Sequence, residues 1–252
     1  MTLTAPTIPD ALAALSPEQI ISLACRANPA VWAERRLGFT NSPIHREWYA
    51  VAMAESRCAL LAPRDHSKTQ VITVNITAWS CVYKPGYWTQ IFAATLTQAK
   101  AMKARIDAAV GLAAPHLLLG ATTNNKTESV YANGSMVTVA GAGSATRGGH
   151  PDRIVGDDVL KESAALSASA RKLISDWWFG SVSGMASSES IRIVGGVRYR
   201  YPATVLHLVG TPFHEKDLLM SMRANELYHY RRYKATFRPD QLVPGTLAVE
   251  VS

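Results

Sequence analysis

Two short groups of charged residues each follow an apolar run in this sequence, and their residue types suit phosphate and metal chemistry. The first group lies in residues 63–69, after the run 57–62, and contains Arg64, Lys68 and Thr69. Binding a triphosphate needs backbone N–H groups at a helix start, a lysine for the terminal phosphates and a hydroxyl for Mg²⁺. Lys68 and Thr69 fit the last two roles, and Arg64 adds a second positive charge.

The same segment departs from the phosphate-loop formula G-x-x-x-x-G-K-S/T, because Ala62 and Ser67 stand where glycines are expected. A residue other than glycine costs about 1–2 kcal/mol where φ must be positive. Asp65 would also repel phosphate by about 4 kcal/mol at roughly 4 Å and an effective dielectric near 20. We therefore expect weak ATP affinity, and a basic surface turn that precedes a helix is the alternative interpretation.

The second group, Asp157 and Asp158, ends the apolar run 154–156. In ATP hydrolysis one carboxylate holds Mg²⁺ and the next orients or deprotonates the attacking water. We assign Asp157 to the metal, together with Thr69, and Asp158 to the water. A helix N-cap with an adjacent acidic residue is the structural alternative.

Two further residues could act on the γ-phosphate. Arg147 lies in a loop just before the acidic pair, where a mobile arginine can stabilise transition-state charge. Thr211 follows the apolar run 205–209, where its hydroxyl could sense the γ-phosphate. Taken alone, Arg147 reads as a solvated loop residue and Thr211 as part of a turn.

Strands that alternate with helices must position these groups. The pattern predicts strands at residues 57–62, 87–94, 136–139, 153–156 and 205–209. It predicts helices at residues 10–27, 44–56, 69–79 and 97–110, with Thr97 as a cap, and another that contains Leu173 to Trp178. Such alternation indicates an α/β fold with a mainly parallel sheet covered by helices, whose functional groups gather beyond the carboxyl ends of the strands.

Composition sets wider limits. The chain has 252 residues, 48% hydrophobic and 18% charged, with a formal net charge of +7, which favours a polyanionic partner. Three widely spaced cysteines fit neither a zinc site nor a disulfide framework, so we expect reduced thiols, at least two of them in the core. No apolar run is long enough for a membrane span, and the N-terminus lacks a secretion signal.

The motifs resemble those of the large terminase subunit of tailed bacteriophages. Residues 62–69 look like its Walker A segment, commonly A-P-R-G-H-G-K-S/T, and residues 146–158 are similar to its R-G-x-R-P-D-x-I-I-x-D-D segment, which ends in Walker B. Residues 208–218 resemble its coupling motif, and residues 43–48 resemble the segment on the adenine side. The likeness covers roughly residues 39–235, with Asp65 and Ser67 in place of the usual glycines and Asp158 in place of the commoner glutamate.

The resemblance implies a P-loop NTPase of the ASCE (RecA-like) type that uses ATP and Mg²⁺ to move double-stranded DNA. It also implies a portal protein and a small terminase subunit as partners, a homo-oligomeric ring docked on the procapsid, no membrane, and the host cell cytoplasm as location. Arg147, ten residues before Asp157, is the arginine-finger candidate. Catalysis is then expected from Asp158, Arg147, Lys68 and Arg64, and nucleotide binding from Pro63, Arg64, Asp65, His66, Ser67, Lys68, Thr69 and Thr211.

The resemblance also predicts the organisation of the chain: an N-terminal helical segment at 1–38, an ATPase core at 39–235 and an extension or linker at 236–252. The nuclease domain of large terminases would be absent, so we expect no nuclease activity from these residues.

Three alternatives stay open. One is another nucleic-acid ATPase, although a helicase would need a second RecA-like domain. Another is a degenerate P-loop module that binds DNA or a capsid component with little or no hydrolysis. A hairpin around Gly195 and Gly196 with arginines on one face could track a DNA backbone, although a solvated hairpin is the simpler interpretation.

Overall fold

A nine-stranded sheet forms the centre of the part of the chain described by a computed structural model, namely residues 15–144, 149–234 and 249–251. A separate two-stranded hairpin consists of Ser190–Val194 and Val197–Tyr201. The strands are β1 Arg57–Leu61, β2 Trp88–Ala93, β3 Thr123–Asn124, β4 Glu128–Val130, β5 Met136–Gly141, β6 Arg153–Asp157, β7 Ser190–Val194, β8 Val197–Tyr201, β9 Val205–Gly210, β10 His229–Tyr233 and β11 Val249–Val251.

The large sheet has the order β11-β10-β1-β9-β6-β2-β5-β4-β3. The six neighbouring strands from β10 to β5 pair in parallel, whereas β11, β4 and β3 pair antiparallel at the two edges. The predicted mainly parallel sheet is therefore confirmed. Because β9 lies between β1 and β6, the chain that leaves β9 emerges between the two predicted charged groups.

Helices cover both faces of the sheet, as parallel strands require. A π-helical segment, Thr69–Asn75, leads directly into the α-helix Ile76–Tyr83. A second one, Trp178–Val182, follows the α-helix Ala168–Trp177. None of the described helices is both long and apolar enough to cross a membrane. The α-helices are α1 Pro17–Ala27, α2 Pro29–Leu37, α3 Pro43–Ala54, α4 Ile76–Tyr83, α5 Leu96–Ala113, α6 Pro115–Leu119, α7 Glu162–Ala165, α8 Ala168–Trp177 and α9 Leu218–Ser221.

Side-chain caps determine where several helices begin. Ser16 and Thr95 each form a reciprocal capping box with a glutamine three residues later, which satisfies otherwise unpaired N–H groups. The predicted cap Thr97 is therefore wrong, because α5 begins two residues earlier, after Thr95. A cap of this kind stabilises a helix by about 1 kcal/mol.

Two apolar clusters hold the layers together, one on each face of the sheet. Trp177 and Trp178 lie in the second cluster, as expected. All three cysteines are buried and free, in agreement with the sequence. Cys25 and Trp32 of the N-terminal helical segment are also fully buried, so this segment packs into the first cluster with the sheet and its helices.

Two sequence expectations need correction. The sequence predicted no strand after the run 205–209, but β10 follows it and pairs with β1. The hairpin does form, with Gly195 and Gly196 in its turn at φ values of 56° and 80°. Its arginines do not occupy a face of their own, however, since Ile191 and Ile193 are exposed and pair across the strands with Arg200 and Arg198.

Candidate active site

The segment between β1 and the following helix folds as a loop with two left-handed residues. Asp65 has a φ of 63° and Ser67 a φ of 60°. These are the two positions at which the terminase pattern has glycine, so the loop keeps the glycine-type backbone without glycine. Aspartate tolerates this conformation better than most residues, whereas serine gains less from it. The predicted strain is therefore present at Ser67 and at Asp65, whereas Ala62 does not have a positive φ.

Lys68 turns back into this loop. Its Nζ donates to the carbonyl oxygen of Pro63 at 2.8 Å and to Oγ1 of Thr211 at 3.0 Å. The residue is only 6% exposed. Burial lowers the pKa of its ammonium group, while the carboxylates of Asp158 and Asp157 act in the opposite direction. The lysine therefore lies beside the acidic pair, as the sequence predicted.

Asp157 ends β6 with a fully buried carboxylate. Oγ1 of Thr69 donates to its Oδ1 at 3.1 Å, and the hydroxyl of Thr73, one turn further along the helix, donates to its Oδ2. Burial and then the neighbouring Asp158 raise the pKa of Asp157 to about 6. Thr69 and Asp157, which the sequence assigned together to a metal, are thus in direct contact, and Thr73 is a partner that the sequence did not indicate.

Backbone bonds from two strand ends hold Asp158. Its N–H donates to the carbonyl of Val209, and its own carbonyl accepts from Ala94. Its Oδ1 accepts from the N–H of Thr211 at 2.8 Å. A Cβ on Gly210 would lie 2.7 Å from that same oxygen, so a larger residue there would displace the Asp158 side chain. Thr211 consequently contacts both Lys68 and Asp158.

Arg64 joins the loop to the two segments that follow β6 and β9. Its Nη2 donates to Oε2 of Glu162 at 2.5 Å, and its guanidinium carbon lies 5.3 Å from the ring centroid of Phe213. The hydrogen bond to Glu162 raises the pKa of Arg64. Glu162 and Phe213 are contacts that sequence reasoning missed.

An open cleft of about 1030 Å³ lies over these groups, large enough for a nucleotide. Its walls include Gln98 and Arg105 of α5, neither of which the sequence singled out. The cleft is lined by Arg64, Asp65, Ser67, Lys68, Thr69, Gln70, Ala94, Gln98, Arg105, Asp158, Leu160, Lys161, Glu162, Ser163 and Phe213.

Known structures clarify the fold. The chain matches the Thermus phage P74-26 large terminase ATPase domain with a TM-score of 0.53 and 13% identity, over 73% of this chain and 70% of that one. An arginine-to-alanine mutant of that domain matches with a TM-score of 0.55 and 11% identity, over 89% and 83%. No family model and no curated protein sequence matches the chain.

The chain therefore shares the fold of that large terminase ATPase domain, a mainly parallel sheet flanked by helices. In this chain β1 leads into the loop 62–68, β6 ends in the acidic pair and β9 lies between them. Lys68, Thr69, Asp157, Asp158 and Thr211 meet at one end of the sheet. Their convergence depends on three parallel strands that end side by side.

The remaining predicted residues differ in their placement. Pro63 contributes a carbonyl rather than a side chain, as an acceptor for Lys68. His66 faces its own loop, because its Nδ1 lies 2.7 Å from the carbonyl oxygen of Arg64. Nε2 of His45, in the segment that resembles the adenine side, lies 3.3 Å from the carbonyl of His66. Arg147 lies outside the described residues.

Oxygen atoms at the acidic pair could hold a metal ion. No group of three or more His, Cys, Asp or Glu side chains forms a metal cluster within the part of the chain that the structure describes. Mg²⁺ binds oxygen, usually through one or two carboxylates plus phosphates and water. The hydroxyl of Thr69 and the carboxylate of Asp157 supply oxygens of this kind 3.1 Å apart.

Proposed function

We propose that this chain is the ATP-hydrolysing motor domain of a viral large terminase, which drives double-stranded DNA into a capsid. One observation carries the proposal: the P-loop lysine and the twin aspartates meet at the end of the sheet, beside a cleft of nucleotide size. The likeness to a large terminase ATPase domain supports the motor interpretation over other P-loop functions.

ATP would bind with its phosphates over the P-loop. Lys68 would exchange the Pro63 carbonyl for phosphate oxygens, while Arg64 would leave Glu162 to add a second positive charge. Asp158 would orient the attacking water and accept its proton. Because Thr211 contacts both Lys68 and Asp158, a shift in either residue would reach the segment after β9.

Thr69 and Asp157 are the residues that would hold Mg²⁺. The ion supplies positive charge that offsets the charge of the phosphates. Thr73 keeps one Asp157 oxygen in position, so the other faces Thr69. Burial raises the pKa of Asp157 and so favours its neutral form. A nearby cation would favour the ionised form.

The proposed partners follow from the same function. They are double-stranded DNA, a portal protein, a small terminase subunit and further copies of this chain in a ring, in the host cell cytoplasm. The net charge of +7 is consistent with a polyanionic partner. Arg147 would supply the arginine finger within its own subunit or to a neighbour.

The test is Mg²⁺-dependent ATP turnover with DNA and portal protein present. We expect Lys68→Ala and Asp158→Ala each to lose at least about a hundredfold in turnover. Lys172→Ala is a matched control, because that lysine is exposed on α8 and pairs with Asp176, away from the cleft. Turnover like the unsubstituted chain's in both site variants would refute the assignment.

Asp65 and Ser67 favour a second candidate, a P-loop module that binds a partner without hydrolysis. Both residues adopt glycine-type backbone, and Asp65 brings a negative charge into the cleft. A titration that finds no binding at millimolar ATP would favour this candidate over the motor.

A further inference from the structure

Like Lys161, Arg105 is a cation of the cleft that lies outside every recognised motif. It projects from α5, a helix anchored in the core by the buried side chains of Ala99, Ile106 and Val110. Gln98, seven residues earlier, lines the same cleft. Seven residues are two helical turns, or about 10 Å, so Gln98 and Arg105 lie on the same side of α5.

The present partner of Arg105 is neutral. Its Nη2 donates to Oε1 of Gln70, the residue immediately after Thr69. The amide nitrogen of Gln70 donates in turn to Asn75 at 2.7 Å, so Gln70 is oriented from its own helix. Within the described residues, Arg105 forms no salt bridge with a carboxylate, unlike Arg64, which is paired with Glu162.

This difference decides which arginine is more readily available to an anion. Arg64 must break a charged pair before it can bind phosphate, whereas Arg105 gives up a hydrogen bond to an amide. A guanidinium forms stronger, often bidentate, hydrogen bonds with phosphate than with a neutral acceptor. Phosphate in the cleft would therefore compete successfully with Gln70.

We propose that Arg105 binds the terminal phosphate of the nucleotide and so makes the cleft prefer ATP to ADP. The inference rests on the proposed function, since it requires ATP in this cleft. Gln70 holds the guanidinium beside Thr69 until the nucleotide arrives. Arg105 then supplies positive charge from a rigid helix of the same subunit, independently of Arg147.

The experiment measures the affinities of a non-hydrolysable ATP analogue and of ADP, both with Mg²⁺ and without DNA. For Arg105→Ala we expect about a tenfold loss of affinity for the analogue and less than twofold for ADP. Arg105→Lys should retain part of the difference. Arg198→Ala, an exposed arginine on the hairpin, is the control and should change neither affinity.

Gln70→Ala separates phosphate binding from a purely structural brace. If Arg105 only ties α5 to the helical segment Thr69–Asn75, removing either partner will lower the affinity for both nucleotides equally. If it binds phosphate, Gln70→Ala will leave the affinity for the analogue unchanged or stronger. If Arg105→Ala loses equal affinity for the analogue and for ADP, the inference about Arg105 is overturned but the proposed function is not. The same holds if Gln70→Ala loses as much affinity as Arg105→Ala. No binding of either nucleotide by the unsubstituted chain overturns the proposed function as well.

Discussion

Lys68 and Arg153 are two buried cations at opposite ends of the strands of the same sheet, and their surroundings differ. Lys68 lies at the carboxyl ends of the strands, beside an open cleft. Arg153 begins β6 at the other end and donates to Oγ1 of Thr77, the carbonyl of Ile72 and Nδ1 of His207, at 2.8–3.1 Å. Burial lowers the pKa of Arg153 to about 10.

The difference lies in what each cation could contact instead. Arg153 is enclosed by fixed acceptors from the helical residues 69–83 and from β9, so it ties the two together. Lys68 has partners that border solvent and can be exchanged for a ligand. A buried charge whose acceptors are fixed contributes to structure, whereas one beside a cleft can contribute to chemistry. The following predictions test this contrast, from the largest expected effect to the smallest.

Lys68→Met should lower ATP turnover about a thousandfold, which is roughly 4 kcal/mol of transition-state stabilisation. The free energy of unfolding should not fall, because methionine fills the space and removes a partly desolvated charge. Turnover assays and denaturant titration measure the two effects. A large loss of stability would show that Lys68 is a structural cation like Arg153.

Arg153→Met should do the reverse and lower the free energy of unfolding by about 3 kcal/mol. The substitution leaves the Ile72 carbonyl, Thr77 and His207 without their buried donor. Arg198→Met on the exposed hairpin is the matched control, with an expected change within about 0.5 kcal/mol. Denaturant titration compares them, and equal stabilities would remove the structural role assigned to Arg153.

His207 should make the stability of the folded chain sensitive to acid. Burial, and then the charge of Arg153, hold the pKa of this histidine well below its usual value. The unfolded chain therefore takes up a proton near pH 6.5 that the folded chain does not. The stability contributed by neutral His207 is present above that pH and is lost as the pH falls, by about 1 kcal/mol at pH 5.5.

His207→Asn keeps an acceptor for Arg153 but cannot titrate. We expect the variant to lose less stability than the unsubstituted chain between pH 7.5 and 5.5, as measured by denaturant titration at each pH. Parallel losses in the two proteins would show that His207 is not responsible.

Ser67→Gly should stabilise the chain by about 1 kcal/mol, because glycine adopts the left-handed conformation of this position without strain. Ser169→Gly is the opposite control. Ser169 lies in α8, where glycine should destabilise the helix by a few tenths of a kcal/mol or more. Thermal melts of both variants measure the difference, and a destabilised Ser67→Gly would mean that the serine side chain contributes more than its backbone costs.

Periodicity predicted the strands that contain an uninterrupted apolar run of at least two or three residues. β1, β2, β6 and β9 lie close to their expected positions because a strand buried on both faces is mainly hydrophobic. β10 escaped prediction, since His229, Arg231 and Arg232 interrupt its apolar residues. Its pairing with β1 is a long-range contact that local pattern does not report.

The sequence by itself determined which residues could handle phosphate and metal, because only certain side chains have the required charge and donor atoms. Lys68, Thr69, Asp157 and Asp158 were identifiable on that basis. The tertiary structure alone decided that Thr73 holds Asp157, that Glu162 holds Arg64 and that Arg105 faces the cleft. These contacts join residues far apart in the chain, and they arise from how the helices pack across the sheet.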